Sequence, residues 1–384
     1  MSSSSPRFSH HVQAISQAVW GADASTTGWK AAHRYVAAPS AATANQLLPW
    51  SVATIVAAGG RRSLDRPWTR RVRDAAGTAA LFGRAAIRRD EQIGIVGGQT
   101  PMIDVLRDEL KLPIHRLVIL CGPPRANQKP VLQAIDRVGR TVAFAKLAWN
   151  DLTTTLLAHE HGVLTDLATR HLGPVEIPRV IGTGVMDGVN WLALSPVRTH
   201  FARHALTHLD AADAIGRACG VNASSLDHPD LAEMSRRRSA GLPLAEAAVE
   251  RLLNDYGTQS LMVGSWHGDF VPWNMSAGRS TVAVWDWERF ATGVPIGFDR
   301  LHFAMQVAVH RTGLSISQAI VTTRAALPSL LSNVEPAGRA ATFDAYLVEM
   351  LIRYEHDALE SPSPNLTAWC EQLAQTAPRP EVAR

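Results

Sequence analysis

The residues that could do chemistry are concentrated in one stretch of the sequence. His267-Gly-Asp-Phe-Val-Pro-Trp-Asn274 is followed, twelve residues later, by Asp286-Trp-Glu288. Two carboxylates and an amide at this spacing meet the needs of metal-assisted phosphoryl transfer. One carboxylate must accept the proton of an attacking hydroxyl, while the amide oxygen and the second carboxylate must hold Mg²⁺ against the phosphates of a nucleotide.

The pattern HGDFxPWN…DWE resembles that of the aminoglycoside phosphotransferase and choline kinase-like family, the small-molecule branch of the protein kinase-like fold. The resemblance implies that Asp269 is the catalytic base and that Asn274 and Asp286 bind Mg²⁺. It also implies that His267 braces the loop by hydrogen bonding. The alternative is a polar turn between two short strands. The apolar run Thr281-Val-Ala-Val-Trp285, directly before Asp286, favours the catalytic interpretation.

The composition is typical of a globular protein. The chain has 384 residues, of which 46% are apolar and 19% charged, which is enough for two lobes with separate cores. No run approaches the ~18–20 apolar residues of a membrane span, and the first residues lack the apolar core of a signal peptide. Three widely spaced cysteines argue against a disulfide framework. We therefore expect a cytoplasmic enzyme, where ATP and Mg²⁺ are available.

Charge gives little indication of a macromolecular partner. The formal net charge of +4 is modest for this length. The arginines between residues 61 and 89 alternate with apolar residues at roughly helical spacing, as on a solvated helix face, although an anionic partner is the alternative. We expect a small-molecule hydroxyl acceptor as the partner, and neither a membrane nor nucleic acid.

Elements upstream of the motif must hold the nucleotide. Leu117–Leu120, Val131–Ile135 and Thr141–Leu147 are predicted strands, separated by turn residues. By the resemblance, Lys146 on the third strand binds the α- and β-phosphates, and Glu160, on a helical pattern fourteen residues further on, orients it. The alternatives are a solvent-facing lysine on a strand and a surface carboxylate on an amphipathic helix.

The loop Gly122–Pro130 departs from the family pattern. Phosphate-binding loops rely on glycines and free backbone N–H groups. This loop has one glycine and three prolines, which have no N–H, so we expect a weaker or differently built grip on the phosphates. Asn127 matches a polar loop residue of the family. Val175–Gly182 and Val189–Leu194 are two more predicted strands. After them, Leu194 and Val197 are expected near the adenine at the hinge between the lobes.

Downstream of residue 202 the pattern becomes helical. Gly293-Val-Pro-Ile-Gly-Phe-Asp299-Arg-Leu resembles a family segment whose aspartate anchors the catalytic loop. Asp299 is therefore predicted to be structural, with a helix cap as the alternative. Glu288 is a weak candidate to contact the acceptor, with a capping carboxylate as the alternative.

The fold class predicted is α+β. We expect a bilobal protein-kinase-like structure with a small antiparallel N-lobe sheet of five strands and one helix, and a helical C-lobe. The predicted divisions are an N-terminal extension of unknown role at 1–111, a nucleotide-binding N-lobe at 112–197 and a catalytic C-lobe at 198–384. The extension could pack on the upper lobe, cap the acceptor site or bind a protein partner.

The functional hypothesis is transfer of the γ-phosphate of ATP or GTP, with Mg²⁺, to a hydroxyl of an aminoglycoside, sugar or aminoalcohol-like molecule. The alternative is a non-catalytic kinase-like scaffold that acts through residues 1–111. A protein kinase is a weaker interpretation, because no activation segment with an Ala-Pro-Glu-like end follows Asp286-Trp-Glu288.

Overall fold

The computed structural model describes the chain at residues 15–19, 24–25, 33–38, 46–49, 51, 54, 75–83, 92–95, 102–121, 129–197, 208–278, 280–360 and 362–376. The chain divides into two compact units. The first contains Met1–Ala168 and Ile177–Thr199, and the second contains Thr169–Glu176 and His200–Arg384.

The strands of the described residues are β1 (Ala24–Ser25), β2 (His33–Ala38), β3 (Gln46–Pro49), β4 (Gln92–Ile95), β5 (Arg116–Leu120), β6 (Val131–Ile135), β7 (Thr141–Ala148), β8 (Val175–Glu176), β9 (Val180–Met186), β10 (Val189–Leu194), β11 (Asn222–Ser225), β12 (Ser260–Trp266), β13 (Met275–Ala277), β14 (Val282–Val284) and β15 (Ala291–Pro295). The helices named are α1 (Met102–Leu110), α2 (Asp151–Leu167), α3 (His208–Gly216), α4 (Pro229–Ser239), α5 (Pro243–Tyr256), α6 (Phe298–His310), α7 (Ile316–Ala325), α8 (Leu327–Leu330), α9 (Arg339–Glu360) and α10 (Pro364–Thr376). Residues 15–19 and 75–83 are also helical.

The first unit is built on a nine-stranded sheet in the order β1-β4-β2-β3-β5-β6-β7-β10-β9. All its neighbouring strands are antiparallel. Helix α1 packs against β9, and α2 packs against β7 and β10. One face of the sheet forms a core that includes Met102, Leu106, Leu117, Leu147 and Trp191.

This sheet is wider than the five strands predicted. The expected strands are β5, β6, β7, β9 and β10. Beyond β5 the sheet continues into β3, because Gln46 and Leu47 pair with Leu120 and Ile119. Strands β2, β4 and β1 then follow. The four additional strands are only two to six residues long, so their period-two pattern is weak in the sequence.

One predicted strand, from Val175 to Gly182, is divided between two sheets. Val175–Glu176 forms β8 and pairs in parallel with β14 in the second unit. The following strand, β9, begins only at Val180 and pairs with β10 in the first unit. Pro178 lies between them and has no N–H to donate to a ladder, which accounts for the break.

The second unit is mainly helical. It contains α3 to α10 and two three-stranded sheets, in the orders β11-β12-β15 and β13-β14-β8. Helix α9 carries twelve consecutive buried residues and runs through the core of this unit. Two acids in this run are paired, Asp344 with Arg324 at 2.5 Å and Glu349 with Arg238 at 2.5 Å. Pairing with a basic side chain offsets part of the free-energy cost of burying a carboxylate.

A sheet unit with few helices and a mainly helical unit confirm the predicted α+β class. Of the helices in the described residues, none combines the length and apolar character needed to cross a membrane.

Candidate active site

The loop from His267 to Asn274 follows β12, the central strand of its sheet. Helix α6 anchors the start of the loop through Asp299. Its Oδ2 accepts a hydrogen bond from the His267 N–H at 2.8 Å, and its Oδ1 accepts one from the Gly268 N–H at 3.3 Å. Asp299 is buried, and burial raises its pKa to about 7. Its position is the one predicted for an anchor of the loop.

Gly268 is required by the shape of this loop. Its φ is +83°, in the left-handed region that favours glycine. A Cβ at this position would lie 2.2 Å from the carbonyl oxygen of Arg289. The Gly268 carbonyl in turn accepts a hydrogen bond from Arg353 Nη1 at 2.5 Å. Any side chain here would therefore displace the backbone of the loop.

His267 is fully buried inside the loop. Its Nδ1 accepts a hydrogen bond from the Asp269 N–H at 3.1 Å. Its ring meets the ring of Trp287 edge-on, with 4.6 Å between the centroids. Burial lowers its pKa to about 4, so the imidazole is neutral at physiological pH. Because Nδ1 accepts a hydrogen bond, the ring proton is assigned to Nε2. His267 therefore shapes the backbone beside Asp269.

Asp269 is held by its neighbours while 37% of its side chain remains exposed. Asn274 Nδ2 donates to Asp269 Oδ2 at 2.8 Å and to its backbone carbonyl at 3.1 Å. Desolvation alone would raise the Asp269 pKa, but the hydrogen bond from His302 and the charge of Arg353 hold it at about 2. The carboxylate is therefore ionised at neutral pH and can accept a proton.

A hairpin places Asn274 and Asp286 at the same end of a pair of strands. Asn274 directly precedes β13, whose Met275 is paired with Val284 at the end of β14. The Trp285 N–H donates to the Asn274 carbonyl at 3.0 Å. Asp286 comes next and has a φ of +75°, in a region where non-glycine residues are uncommon and often functional.

The side chains at this end of the hairpin suit a hard cation. Asn274 uses its amide nitrogen toward Asp269, so its amide oxygen is the atom that could bind a metal. Mg²⁺ takes oxygen ligands and few protein side chains, and an amide oxygen with one carboxylate fits that preference. Glu288 lies two residues beyond Asp286 and is half-buried.

Lys146 and Glu160 form a buried ion pair in the first unit. Lys146 Nζ donates to both carboxylate oxygens of Glu160, at 2.7 and 2.6 Å. The side chains are 10% and 0% exposed, so neither is the solvent-facing residue of the alternative interpretation. Lys146 lies on β7, and Glu160 on α2, which begins with a capping box formed by Asn150 and Thr153.

Three further residues predicted to contact the nucleotide differ in where they lie, and their contacts stay predictions. Leu194 is buried at the end of β10, and Val197 is half-buried just beyond it. Ser195, between them, exchanges hydrogen bonds with the backbone of Arg179 at 2.8 and 2.9 Å. Asn127 and residues 122–128 of the proline-rich loop lie outside the described residues.

Sequence reasoning missed three residues that contact the loop or its neighbours. His302 Nε2 lies 3.4 Å from Asp269 Oδ1, and His302 Nδ1 lies 3.1 Å from the Tyr346 hydroxyl. Arg353 binds the Gly268 carbonyl and places its guanidinium 4.9 Å from the Trp266 ring centroid. Only His302 had a signal in the sequence: it follows Asp299 by three residues on a predicted helix and so shares its face.

Comparisons with known proteins find likeness in structure alone. No protein-family model matches this chain, and a search of curated proteins returns no relative. Among solved structures, a putative fructosamine-3-kinase from Haemophilus somnus 129PT is 11% identical, with a TM-score of 0.45 over 71% of this chain and 96% of that one. A thermostable mutant of aminoglycoside phosphotransferase APH(4)-Ia is 15% identical, with a TM-score of 0.42 over 71% and 98% of the chains.

A third similar structure is the macrolide 2'-phosphotransferase MphH from Brachybacterium faecium, 14% identical with a TM-score of 0.43 over 72% of this chain and 98% of that one. By name, these three structural neighbours are a putative kinase and two phosphotransferases. With TM-scores below 0.5, the likeness does not say what this chain binds or phosphorylates.

Proposed function

We propose that this protein transfers the γ-phosphate of ATP or GTP, with Mg²⁺, to a hydroxyl group of a small molecule. The observation that carries the proposal is the setting of Asp269. It is an ionised carboxylate on a loop anchored by Asp299, hydrogen-bonded to Asn274 and partly open to solvent. A carboxylate so held is suited to accept the proton of an attacking hydroxyl.

In this mechanism the acceptor O–H bond breaks and Asp269 takes the proton. The acceptor oxygen forms a bond to the γ-phosphorus as the bond from that phosphorus to the β,γ-bridging oxygen breaks, which leaves the nucleoside diphosphate. Asn274 and Asp286 would hold Mg²⁺, which when bound neutralises phosphate charge. Lys146, oriented by Glu160, would neutralise further charge on the phosphates.

The remaining assignments belong to the same proposal. Leu194, Val197 and Asn127 would contact the nucleotide, and Glu288 would face a cationic or hydroxyl-rich acceptor such as an aminoglycoside, sugar or aminoalcohol. The cytoplasm, which supplies ATP and Mg²⁺, would be the place of action. Positioning and charge neutralisation supply most of the catalysis in phosphoryl transfer, so the acceptor pocket is free to vary around these residues.

Nucleotide binding tests this proposal without knowledge of the acceptor. Thermal unfolding is followed with ATP or GTP, with and without Mg²⁺, for the wild type and an Asp286→Asn variant. Binding should stabilise the wild type by about 2.7 kcal/mol when the ligand is at a hundred times its Kd. The stabilisation should require Mg²⁺ and be lost in the variant.

A matched control is an Asp187→Asn variant. Asp187 also has a positive φ, +48°, but lies in the exposed β9–β10 turn, so this variant repeats the chemical change in a similar backbone conformation. It should keep the full nucleotide effect. If no nucleotide at millimolar concentration stabilises the wild type, the proposal is wrong, and a binding protein that acts through residues 1–111 becomes the better hypothesis.

A further inference from the structure

Two buried side chains connect Asp269 to the core through polar contacts, and neither was part of the predicted site. His302 on α6 is 2% exposed, and Tyr346 on α9 is 1% exposed. The imidazole lies between the other two groups, with Nε2 3.4 Å from Asp269 Oδ1 and Nδ1 3.1 Å from the Tyr346 hydroxyl oxygen. The three groups form a continuous chain of polar contacts from the core of the second unit to the loop.

The chemistry of the carboxylate decides where the proton of His302 lies. An ionised carboxylate can only accept, so Nε2 must carry the hydrogen and donate it to Asp269 Oδ1. Nδ1 then has a lone pair and accepts from the Tyr346 O–H. Burial lowers the pKa of His302 and raises the pKa of Tyr346 well above its usual value, so both groups are neutral at physiological pH.

With this tautomer, each oxygen of Asp269 has a donor of its own. Asn274 Nδ2 donates to Oδ2 at 2.8 Å, and His302 Nε2–H donates to Oδ1 over a longer distance of 3.4 Å. Two donors on different oxygens fix the rotation of the carboxylate plane. A carboxylate has about four lone-pair positions, so positions remain for the proton of an acceptor hydroxyl.

Helix α6 carries both the anchor of the loop and this second donor. Asp299 binds the backbone at the start of the loop, and His302 follows three residues later on the same face of the helix. One rigid element therefore contributes both to the position of the loop backbone and to the direction of the Asp269 side chain.

We propose that His302 is a positioning residue for phosphoryl transfer: it aims the Asp269 carboxylate at the acceptor hydroxyl, and Tyr346 fixes the tautomer that lets it do so. This inference rests on the proposed function. His302 does not take the proton itself in this scheme, because its Nε2 already carries one. Its contribution is geometric, and misplacement of a catalytic group by about 1 Å can cost ~100-fold in rate.

The first test is the Mg²⁺-dependent hydrolysis of ATP or GTP, in which water takes the place of the unidentified acceptor. A His302→Leu variant should hydrolyse the nucleotide ~100-fold more slowly with little change in KM. A His302→Gln variant keeps an N–H donor and should recover most of the rate. A Tyr346→Phe variant should lose roughly tenfold.

A matched control for the last change is Tyr256→Phe. Tyr256 also donates its hydroxyl to a buried group, Asp344 Oδ2 at 3.0 Å, in the same unit. Its variant should hydrolyse nucleotide at the wild-type rate. Equal hydrolysis rates in the wild type and His302→Leu overturn the proposal, and so does a His302→Gln variant as slow as His302→Leu.

A second measurement does not depend on activity. In ¹⁵N nuclear magnetic resonance of the wild type, His302 should show a protonated Nε2 and an unprotonated, hydrogen-bonded Nδ1, and the Tyr346→Phe variant should lose the hydrogen-bond shift at Nδ1. A protonated Nδ1 in the wild type would overturn the positioning scheme. Failure of the proposed function looks different, because the wild type itself would then neither bind nor hydrolyse nucleotide with Mg²⁺.

Discussion

At the scale of single residues, the pKa values of two aspartates in the second unit are shifted in opposite directions. Desolvation acts on both. Asp299 has two backbone donors, yet burial raises its pKa to about 7. Asp269 is held at about 2 by the His302 hydrogen bond and the Arg353 charge. Two carboxylates with diverging pKa values often have different roles, and the roles proposed here are an anchor of the loop for Asp299 and a proton acceptor for Asp269.

Replacement of Asp269 tests the second of these roles. An Asp269→Asn variant keeps the size of the side chain but removes the charge that accepts the proton. Phosphoryl transfer to water or acceptor should fall by a factor of about 10²–10⁴. Nucleotide binding should remain, because Asp269 is not among the proposed Mg²⁺ ligands. Steady-state hydrolysis and isothermal titration with Mg²⁺ and nucleotide measure the two quantities.

The control for this change is Asp230→Asn, a highly exposed aspartate on α4 with 92% of its side chain accessible. It should leave both quantities at the wild-type level. Full hydrolysis by the Asp269→Asn variant would remove Asp269 from the role of base.

The stability of the protein should depend strongly on the buried ion pair between Lys146 and Glu160. A Glu160→Gln variant leaves the lysine charge almost fully buried beside a neutral partner. Breaking one side of such a pair should lower the free energy of unfolding by roughly 3–5 kcal/mol. The double variant Lys146→Met, Glu160→Gln should recover part of that loss, because it removes both charges of the buried pair.

Urea unfolding measures these differences, followed by signals from the first unit for the Glu160 variants and from the second unit for the Glu250 variant. The exposed pair of Arg236 and Glu250, 2.7 Å apart, gives the comparison. A Glu250→Gln variant should change stability by less than about 1 kcal/mol. A Glu160→Gln variant as mild as that one would contradict the buried ion pair.

The sequence predicts only part of the site at this scale. His267, Asp269, Asn274 and Asp286 could be placed because their order along the chain forms a motif. His302 had only its spacing from Asp299 as a signal, and Tyr346 and Arg353 had none. Arg353 contacts the loop from 85 residues away in the sequence, and Tyr346 contacts His302 from 44 residues away. Those contacts depend on how α6 and α9 pack in the core, and no local spacing encodes that packing.

At the scale of elements, helix α6 holds the start of the loop through Asp299. The raised pKa of this residue makes the free energy of unfolding depend on pH in a direction that can be derived. An unfolded aspartate has a pKa near 3.9, and the folded value is about 7. Between these values the native state binds more protons than the unfolded state. The contribution of Asp299 to the free energy of unfolding is therefore full below about pH 4 and is lost as the pH rises through 7. Asp269, with a folded pKa of about 2, changes stability in the opposite sense and only below about pH 4.

An Asp299→Asn variant should lack this pH dependence. The difference in unfolding free energy between wild type and variant should shrink from pH 4 to pH 7, by at most about 1.4 kcal/mol per pH unit. Chemical denaturation at several pH values measures it, and an Asp230→Asn variant should show no such trend. A difference that grows with pH over this interval would mean that the folded carboxyl ionises more readily than the unfolded one.

The strands show where pattern reasoning succeeds and where it stops. Val131–Ile135 and Val189–Leu194 were predicted with their observed bounds, because each is an apolar run that ends at turn residues. Asp136 holds the first of these turns, where its Oδ1 accepts from the Val138 and Arg140 N–H groups at 3.0 and 2.8 Å. The break at Pro178 was missed, since strand-forming β-branched residues occur on both sides of it, Ile177 before it and Val180 after it.

At the scale of the whole molecule, the described strands at the front of the chain, β1 to β4, are part of the first sheet. Strand β3 pairs with β5 and buries side chains on both faces. Leu47 belongs to the same core as Leu117 and Trp191, whereas Leu48 packs on the opposite face with Val118. The described part of the extension therefore contributes to the core that surrounds Lys146 and its strand. Removal of β3 would expose the edge of β5, and an exposed edge promotes aggregation.

A Leu47→Ala variant tests this contribution with the rest of the chain present. Leu47 is 0% exposed, so its truncation should cost roughly 2–5 kcal/mol in the unfolding free energy of the first unit. Hydrogen exchange of the β5 and β6 amides should accelerate with it, because these strands share the core and the ladder. The same substitution at Leu359, which is 69% exposed on α9, should change neither quantity by a measurable amount. If β5 and β6 keep their protection in the Leu47→Ala variant, the front strands fold and unfold independently of the sheet, and residues 1–111 would then be available to act as a separate binding segment.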